Sequence, residues 1–366
     1  MMDMKKYREL IFALFIALLA LAEKLLLRFF PDQLFPGYRL FSKKWISVLS
    51  SVFSFMKGSF WDIGALCLLL VFIFFLIRCI VHKKGFLKLF SHTMLVISLC
   101  VFSAMTGWLG NHYAPKLSQE LNLAVEQYSL QQLTDTCEYY YSKAAEYAPL
   151  IPRDENGHAL PRNVYEDTKT AGSSYVSLAE TYPVFAGSSK PVKIFSLIGE
   201  YELYNGITGM FMPLTGEASV PANVPIIPRG FVMCHEAAHR LGIASEQEAN
   251  FCAFLACIHN EDPYFVYSGC YEAFVYCINS LYDADPELAK SLYHSHDEET
   301  GYLLVQRDRT DTREAYARYD SPLQDISDEI NDTYLKSFSQ ESGIRSYGEV
   351  TDYLIAWFMH TKTEEL

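Results

Sequence analysis

Met233-Cys234-His235-Glu236-Ala237-Ala238-His239-Arg240-Leu241-Gly242, followed at once by Ile243-Ala244-Ser245-Glu246-Gln247-Glu248-Ala249-Asn250-Phe251, reads as two helices joined by a tight turn. Pro228 suits a first helical turn and Gly242 suits the residue just past a last one, so a helix is expected over about 229–241. Positions i and i+4 of a helix share a face, so His235 and His239 aim two imidazoles at one point. Glu236 adjoins the first of them, where a metal site that activates water needs a general base. Ser245-x-x-Glu248 reads as a capping box that starts a second helix, running from Glu246 to about His259.

A third metal ligand is expected from that second helix. Glu246 is preferred, because Glu246 and Asn250 stand at i and i+4 and so share a face. In such an arrangement the glutamate binds the metal while the residue one turn on orients a ligand histidine. Glu248 is the alternative ligand. It lies roughly 200° round the helix from Glu246 at ~100° per residue, and the capping box gives it other work. His259 is thirteen residues past Glu246, too far along the helix to be its neighbour. Zn2+ is the expected cofactor, since His, His and a carboxylate leave a fourth position open for water.

Outward from this stretch the chain divides by charge. Residues 1–110 carry 13 Lys and Arg against 5 Asp and Glu, whereas residues 111–366 carry 17 against 38. So acidic a region argues against nucleic acid as a partner. The charge-poor stretches of the first part are three expected transmembrane helices, at about 9–30, 62–82 and 87–109. A cleaved signal peptide fits poorly, because the first apolar run continues past Glu23-Lys24 into Leu25-Leu26-Leu27. Three spans place Lys5, Lys6, Arg8, Lys83, Lys84 and Lys88 on one side, which the positive-inside rule makes cytoplasmic. Residues 1–110 are then a membrane region, and 111–366 an extracytoplasmic domain of a multi-pass protein in the cytoplasmic membrane. Arg39, Lys43, Lys44 and Lys57 in the first loop pull the other way. The aromatic, serine-rich stretch from Phe35 to Trp61 is expected to lie along the membrane.

Beyond the spans the pattern is mainly helical. Helices are expected over 116–148, 163–181, 264–283, from Pro286, over 310–340 and over 347–359. Pro191–Ser196 is expected to form a short strand. Residues 206–218, rich in glycine and β-formers, are expected to give an edge strand beside the site that could pair with an extended peptide. Nine cysteines without a C-x-x-C pair indicate neither a zinc ribbon nor a disulfide framework, although one or two bridges stay open. Cys234 points about 100° from His235 and makes a poor fourth ligand. Tyr271 and Tyr347 are candidates for steadying a developing oxyanion.

Locally, H-E-x-x-H followed by Glu246-x-x-Ala249-Asn250 resembles the gluzincin signature, and that resemblance implies Glu246 as the third ligand. The link from His239 to Glu246 is shorter than in most such families. It turns at Gly242 as in metzincins, with Ser245 where those carry a third histidine. The whole chain resembles a bacterial family known only as domain of unknown function 3810. The residues that carry this are Pro213-Leu214-Thr215-Gly216-Glu217-Ala218, Cys234 to Gly242, Glu246 to Phe251, and Ser346-Tyr347-Gly348. The resemblance implies three N-terminal spans and a zincin-like, largely helical soluble domain with a small β element beside the H-E-x-x-H helix. The expected function is that of a membrane-anchored zinc metallopeptidase, with Glu236 as general base and a peptide or protein as substrate at the lipid bilayer. The alternative is a non-catalytic membrane sensor or scaffold that keeps a structural metal site.

Overall fold

The computed structural model describes residues 4–338 and 350–364. Four long helices open the chain: α1 (Met4–Phe29), α2 (Pro31–Val52), α3 (Phe60–His82) and α4 (Phe86–Gly107). Among the described residues, Tyr7–Phe29, Phe60–His82 and Phe86–Gly107 are long and apolar enough to cross a membrane. α1 and α4 pack side by side in the same direction. His92 lies 3.3 Å from Glu9 near one end, and Thr106 Oγ1 donates to Glu23 at 2.7 Å near the other.

The stretch between the first two apolar helices is itself a helix, α2, and it is held against later parts of the chain. Phe35, Tyr38, Ser42, Ile46 and Ser50, three or four residues apart, form its buried face. Tyr38 donates to the carbonyl of Met105, and Ser42 to that of Gly107. Lys43 Nζ donates to the carbonyls of Val184 and Ala186, and Ser50 bonds Ser188 at 2.7 Å. Ile46 joins the main core, so α2 is part of the packing of the later domain. A second stripe on α2, Leu34, Phe41, Trp45, Val48 and Val52, stays exposed.

After α4 the chain continues through α5 (Leu117–Glu120), α6 (Leu130–Tyr147), α7 (Val164–Ser173) and α8 (Leu178–Thr181) to β1 (Lys193–Ile194). Then come α9 (Gly199–Tyr204), β2 (Met210–Met212), β3 (Glu217–Val220), α10 (Ile226–Arg240), α11 (Glu246–Ile258) and α12 (Pro263–Ala284). α13 (Pro286–Tyr293), α14 (Thr300–Ala317), α15 (Leu323–Ser337) and α16 (Val350–Glu364) complete it. The single helix expected over 116–148 is two. Asn122 adopts a left-handed φ of +51° that ends α5, and α6 starts afresh at a capping box between Ser129 and Gln132. The helix expected over 310–340 is likewise split between α14 and α15.

The sheet has the order β1-β3-β2, with β1 parallel and β2 antiparallel to β3. It is joined to the start of α3. Ser59 donates its backbone N–H to Ile194, extending the sheet towards the apolar helix. The Glu217 carboxylate accepts from the backbone N–H groups of Phe60 and Trp61 at 2.9 and 3.0 Å, filling two donors that the start of a helix leaves open. Asp62 accepts from Ser196 and Leu197 at 2.7 Å each. Both acids are buried, and such charge-assisted bonds contribute about 1.5–3 kcal/mol apiece.

α10, α11 and α12 form the centre of the domain. From Glu248 to Cys257 every residue of α11 is buried, so that helix is packed all round, with Glu248 and Asn250 as its buried polar side chains. Tyr141 of α6 stacks on Phe274 of α12 with ring centroids 4.1 Å apart. None of the nine cysteines is bridged.

Candidate metal centre

α10 ends in a Schellman turn. Gly242 adopts φ +91° and its N–H donates to His239, while Ile243 N–H donates to Ala238. The turn reverses the chain so that α11 starts beside the last turn of α10. His235, His239 and Glu246 thereby meet, with one ligand atom from each lying within 4.8 Å of the others. The two Nε2 atoms are 3.0 Å apart, and a Glu246 oxygen stands 3.3 Å from His235 Nε2 and 3.7 Å from His239 Nε2.

The far side of each ring is fixed. His235 Nδ1 bonds Asn250 Oδ1 at 2.7 Å, and His239 Nδ1 bonds the carbonyl of Ile243 at 2.7 Å. A proton on Nδ1 satisfies each acceptor, so that the Nε2 lone pair of a neutral imidazole faces the common point. Burial opposes charge on His239, but Glu246 and Glu236 outweigh it and raise its pKa to about 9. Burial likewise opposes charge on Glu246, yet the charge of His239 and bonds from both imidazoles hold it well below the usual carboxylate range. His235, His239 and Glu246 are a donor set that zinc takes.

Glu236 lies beside this group, 4% exposed. Burial pushes its pKa up to about 7, against the pull of His235 and His239. Its Oε2 has no hydrogen-bond partner, an orphan that a buried carboxylate seldom shows unless a ligand or water completes it. Gly209, just before β2, is pressed against it: a Cβ there would sit 2.4 Å from Glu236 Oε1.

The other sequence candidates lie elsewhere. Glu248 does not form the expected capping box. Its Oε1 accepts from the backbone N–H of Leu117 and the hydroxyl of Tyr353, 2.8 and 3.0 Å away. Ser245 takes the N-cap place with no side-chain bond, because the long-range partners of Glu248 outcompete the local one. His259 turns back to the carbonyl of Leu255. Cys234 is buried in the core. Tyr271 packs beside Tyr267 on α12, away from the metal group. Tyr347 and the Ser346-Tyr347-Gly348 stretch lie outside the described residues.

Three neighbours of the centre were not legible. Trp108, which follows α4, donates its indole N–H to the carbonyl of His239 at 2.7 Å, and its ring meets the His239 ring edge-on. Asn111 fills the space over Gly242, where a Cβ would come within 3.2 Å of it. His112 bonds the hydroxyl of Tyr334 at 2.9 Å. Burial and the charge of His239 lower the pKa of His112 to about 3, and Glu246 is among the charges felt by Tyr334. The centre is thus distant in sequence from the apolar helices but in contact with the end of α4. No local pattern announces pairings across more than a hundred residues.

Among known proteins, a family model described as a protein of unknown function (DUF3810) matches residues 38–355, from the middle of α2 into α16. No curated protein and no solved structure matches. The match spans most of the chain, and the chain belongs to that family.

Proposed function

We propose that this member of the DUF3810 family is a membrane-anchored, zinc-dependent metallopeptidase that hydrolyses peptide bonds close to the membrane surface. The observation that carries the reading is the convergence of His235 Nε2, His239 Nε2 and Glu246 on one point, beside a buried Glu236 with an unpartnered oxygen. Those three side chains would hold the ion, and a bound zinc supplies Lewis acidity together with water of lowered pKa.

The chain's own residues supply the rest. Glu236 is placed to take the proton of the attacking water and to return it to the leaving amine. Asn250 and Ile243 hold the two imidazoles in one tautomer. Among the described residues β2 pairs on one side only, with β3, so its other edge offers backbone groups to an extended peptide lying past Gly209 and Glu236. The bond from Trp108 to His239 sets the site at the end of an apolar helix, which favours segments of membrane-associated polypeptides as substrates. The basic residues around Lys5–Arg8 and Lys83–Lys88 favour the cytoplasm for the opposite ends of the apolar helices, and so an extracytoplasmic site. Three protein ligands, rather than the four of a structural zinc site, favour chemistry over a scaffold.

Metal analysis and cleavage of a peptide library by the purified full chain test this. About one zinc per chain is expected, lost in His235→Ala and Glu246→Ala and kept in Glu248→Gln. A chelator should stop cleavage and added zinc restore it. A wild-type protein without stoichiometric zinc, or a zinc-loaded one that cleaves nothing in the library, counts against the proposal.

A further inference from the structure

A cavity of about 120 Å3 lies behind the metal helix between the loop that leads into α3, α7 and the approach to β1. That volume takes several waters, and so one tetrahedral oxyanion. Its floor is Arg240, the residue after His239. Arg240 is 2% exposed, and among the described residues its one hydrogen bond runs from Nη1 to the carbonyl of Pro191 at 3.2 Å. Its Nε and Nη2 are buried without partners. A guanidinium out of water with two unmet donors is costly unless an anion or its equivalent completes it.

Among the described residues the walls supply none. The Glu217 carboxylate is engaged by Phe60 and Trp61, and Glu166 is paired with Lys169 at 2.9 Å. Lys57, Lys190 and Lys193 join Arg240 and Lys169 around the cavity, five cations against two acids. Lys193 is itself buried, its Nζ donating to the carbonyls of Phe53 and Met56. A planar guanidinium with lysines about it is the arrangement that takes phosphate oxygens. The position is also informative. Lys57 precedes Phe60, where the apolar helix α3 begins, by three residues, roughly 10 Å of extended chain. Headgroups of a bilayer crossed by α3 would lie at that level.

We infer that this cavity is a binding site for a phosphate-bearing anion, with Arg240 at its base and Lys57 and Lys190 among the cations lining it. The bound group is either the phosphate of an anionic phospholipid headgroup or a free phosphate. The inference holds whether or not the metal centre is catalytic.

The test uses the full chain, purified in detergent and stripped of lipid. Inorganic phosphate is titrated calorimetrically. In parallel, the protein is placed in nanodiscs of phosphatidylcholine alone or with phosphatidylglycerol, and retained lipid is counted by native mass spectrometry. Saturable one-to-one binding is expected in at least one arm; phosphate in solution points to a free anion, and selective retention of phosphatidylglycerol to a headgroup. Arg240→Gln should weaken that binding at least about tenfold. The double variant Lys57→Ala/Lys190→Ala, which leaves the core intact, should weaken it several-fold and decides the matter if Arg240→Gln does not fold. No binding in either arm, or binding that the folded variants leave unchanged, overturns the inference.

Discussion

Trp108 and His239, 131 positions apart, are joined by an indole N–H that donates to a backbone carbonyl at 2.7 Å. The first follows an apolar helix and the second is a metal-ligand candidate, so the bond ties the centre to the end of that helix. Trp108→Phe removes the bond but keeps a ring, and should cost about 1 kcal/mol of stability. Trp108→Ala should cost about 3–5 kcal/mol. Both should weaken zinc retention against a competing chelator. Unchanged retention in Trp108→Ala would show that the tie is dispensable.

Asn250 reaches His235 from the next helix through a 2.7 Å bond to Nδ1. Asn250→Leu should lower zinc affinity about 10- to 100-fold, whereas Asn250→Asp, which keeps an acceptor, should stay near wild type. Competition with a fluorescent zinc chelator measures both. Equal affinities for the two variants would exclude an orienting role.

Gly209 separates metal binding from the work of Glu236. An added methyl would lie 2.4 Å from Glu236 Oε1 and must displace that carboxylate or the strand beside it. Gly209→Ala is therefore expected to keep its zinc while losing peptide cleavage about 10²- to 10⁴-fold, the usual worth of a positioned general base. Loss of zinc in step with activity would assign Gly209 to the metal site instead.

Glu217 and Asp62 clamp the sheet to the start of α3. Glu217→Ala leaves two helix N–H groups buried without acceptors, at about 1–3 kcal/mol each. A fall in the melting temperature of the detergent-solubilised protein is expected, larger than for Glu200→Ala on an exposed face. Equal melting temperatures would mean that water replaces the carboxylate.

Much of this was legible in the sequence, wherever the determinants were local. Apolar runs long enough to span give α1, α3 and α4. Two histidines one turn apart on α10, with Gly242 past its end and Glu246 opening α11, bring the three candidate ligands together. What was not legible depends on distant partners. Glu248 looked like a cap and serves Leu117 and Tyr353. Glu217 stood in a recognisable stretch, yet its partners Phe60 and Trp61 are more than 150 positions away. The aromatic stretch from Phe35 is expected to lie along the membrane, yet in α2 Phe35, Tyr38, Ser42, Ile46 and Ser50 are buried, with Tyr38, Ser42 and Ser50 bonded to residues 65 or more positions away. The break in 116–148 turns on a single left-handed residue, Asn122, which apolar spacing does not register.

Glu236 is proposed to act upon a substrate at a zinc centre that it does not itself hold, and comparison of wild type with Glu236→Gln tests that most directly. Zinc content by elemental analysis and cleavage of a peptide library are read on the same membrane-reconstituted samples. The expected result is one zinc per chain in both proteins, with cleavage about 10²- to 10⁴-fold slower in the variant. Full zinc occupancy with the same cleavage rate in both, or with none in either, would contradict the account.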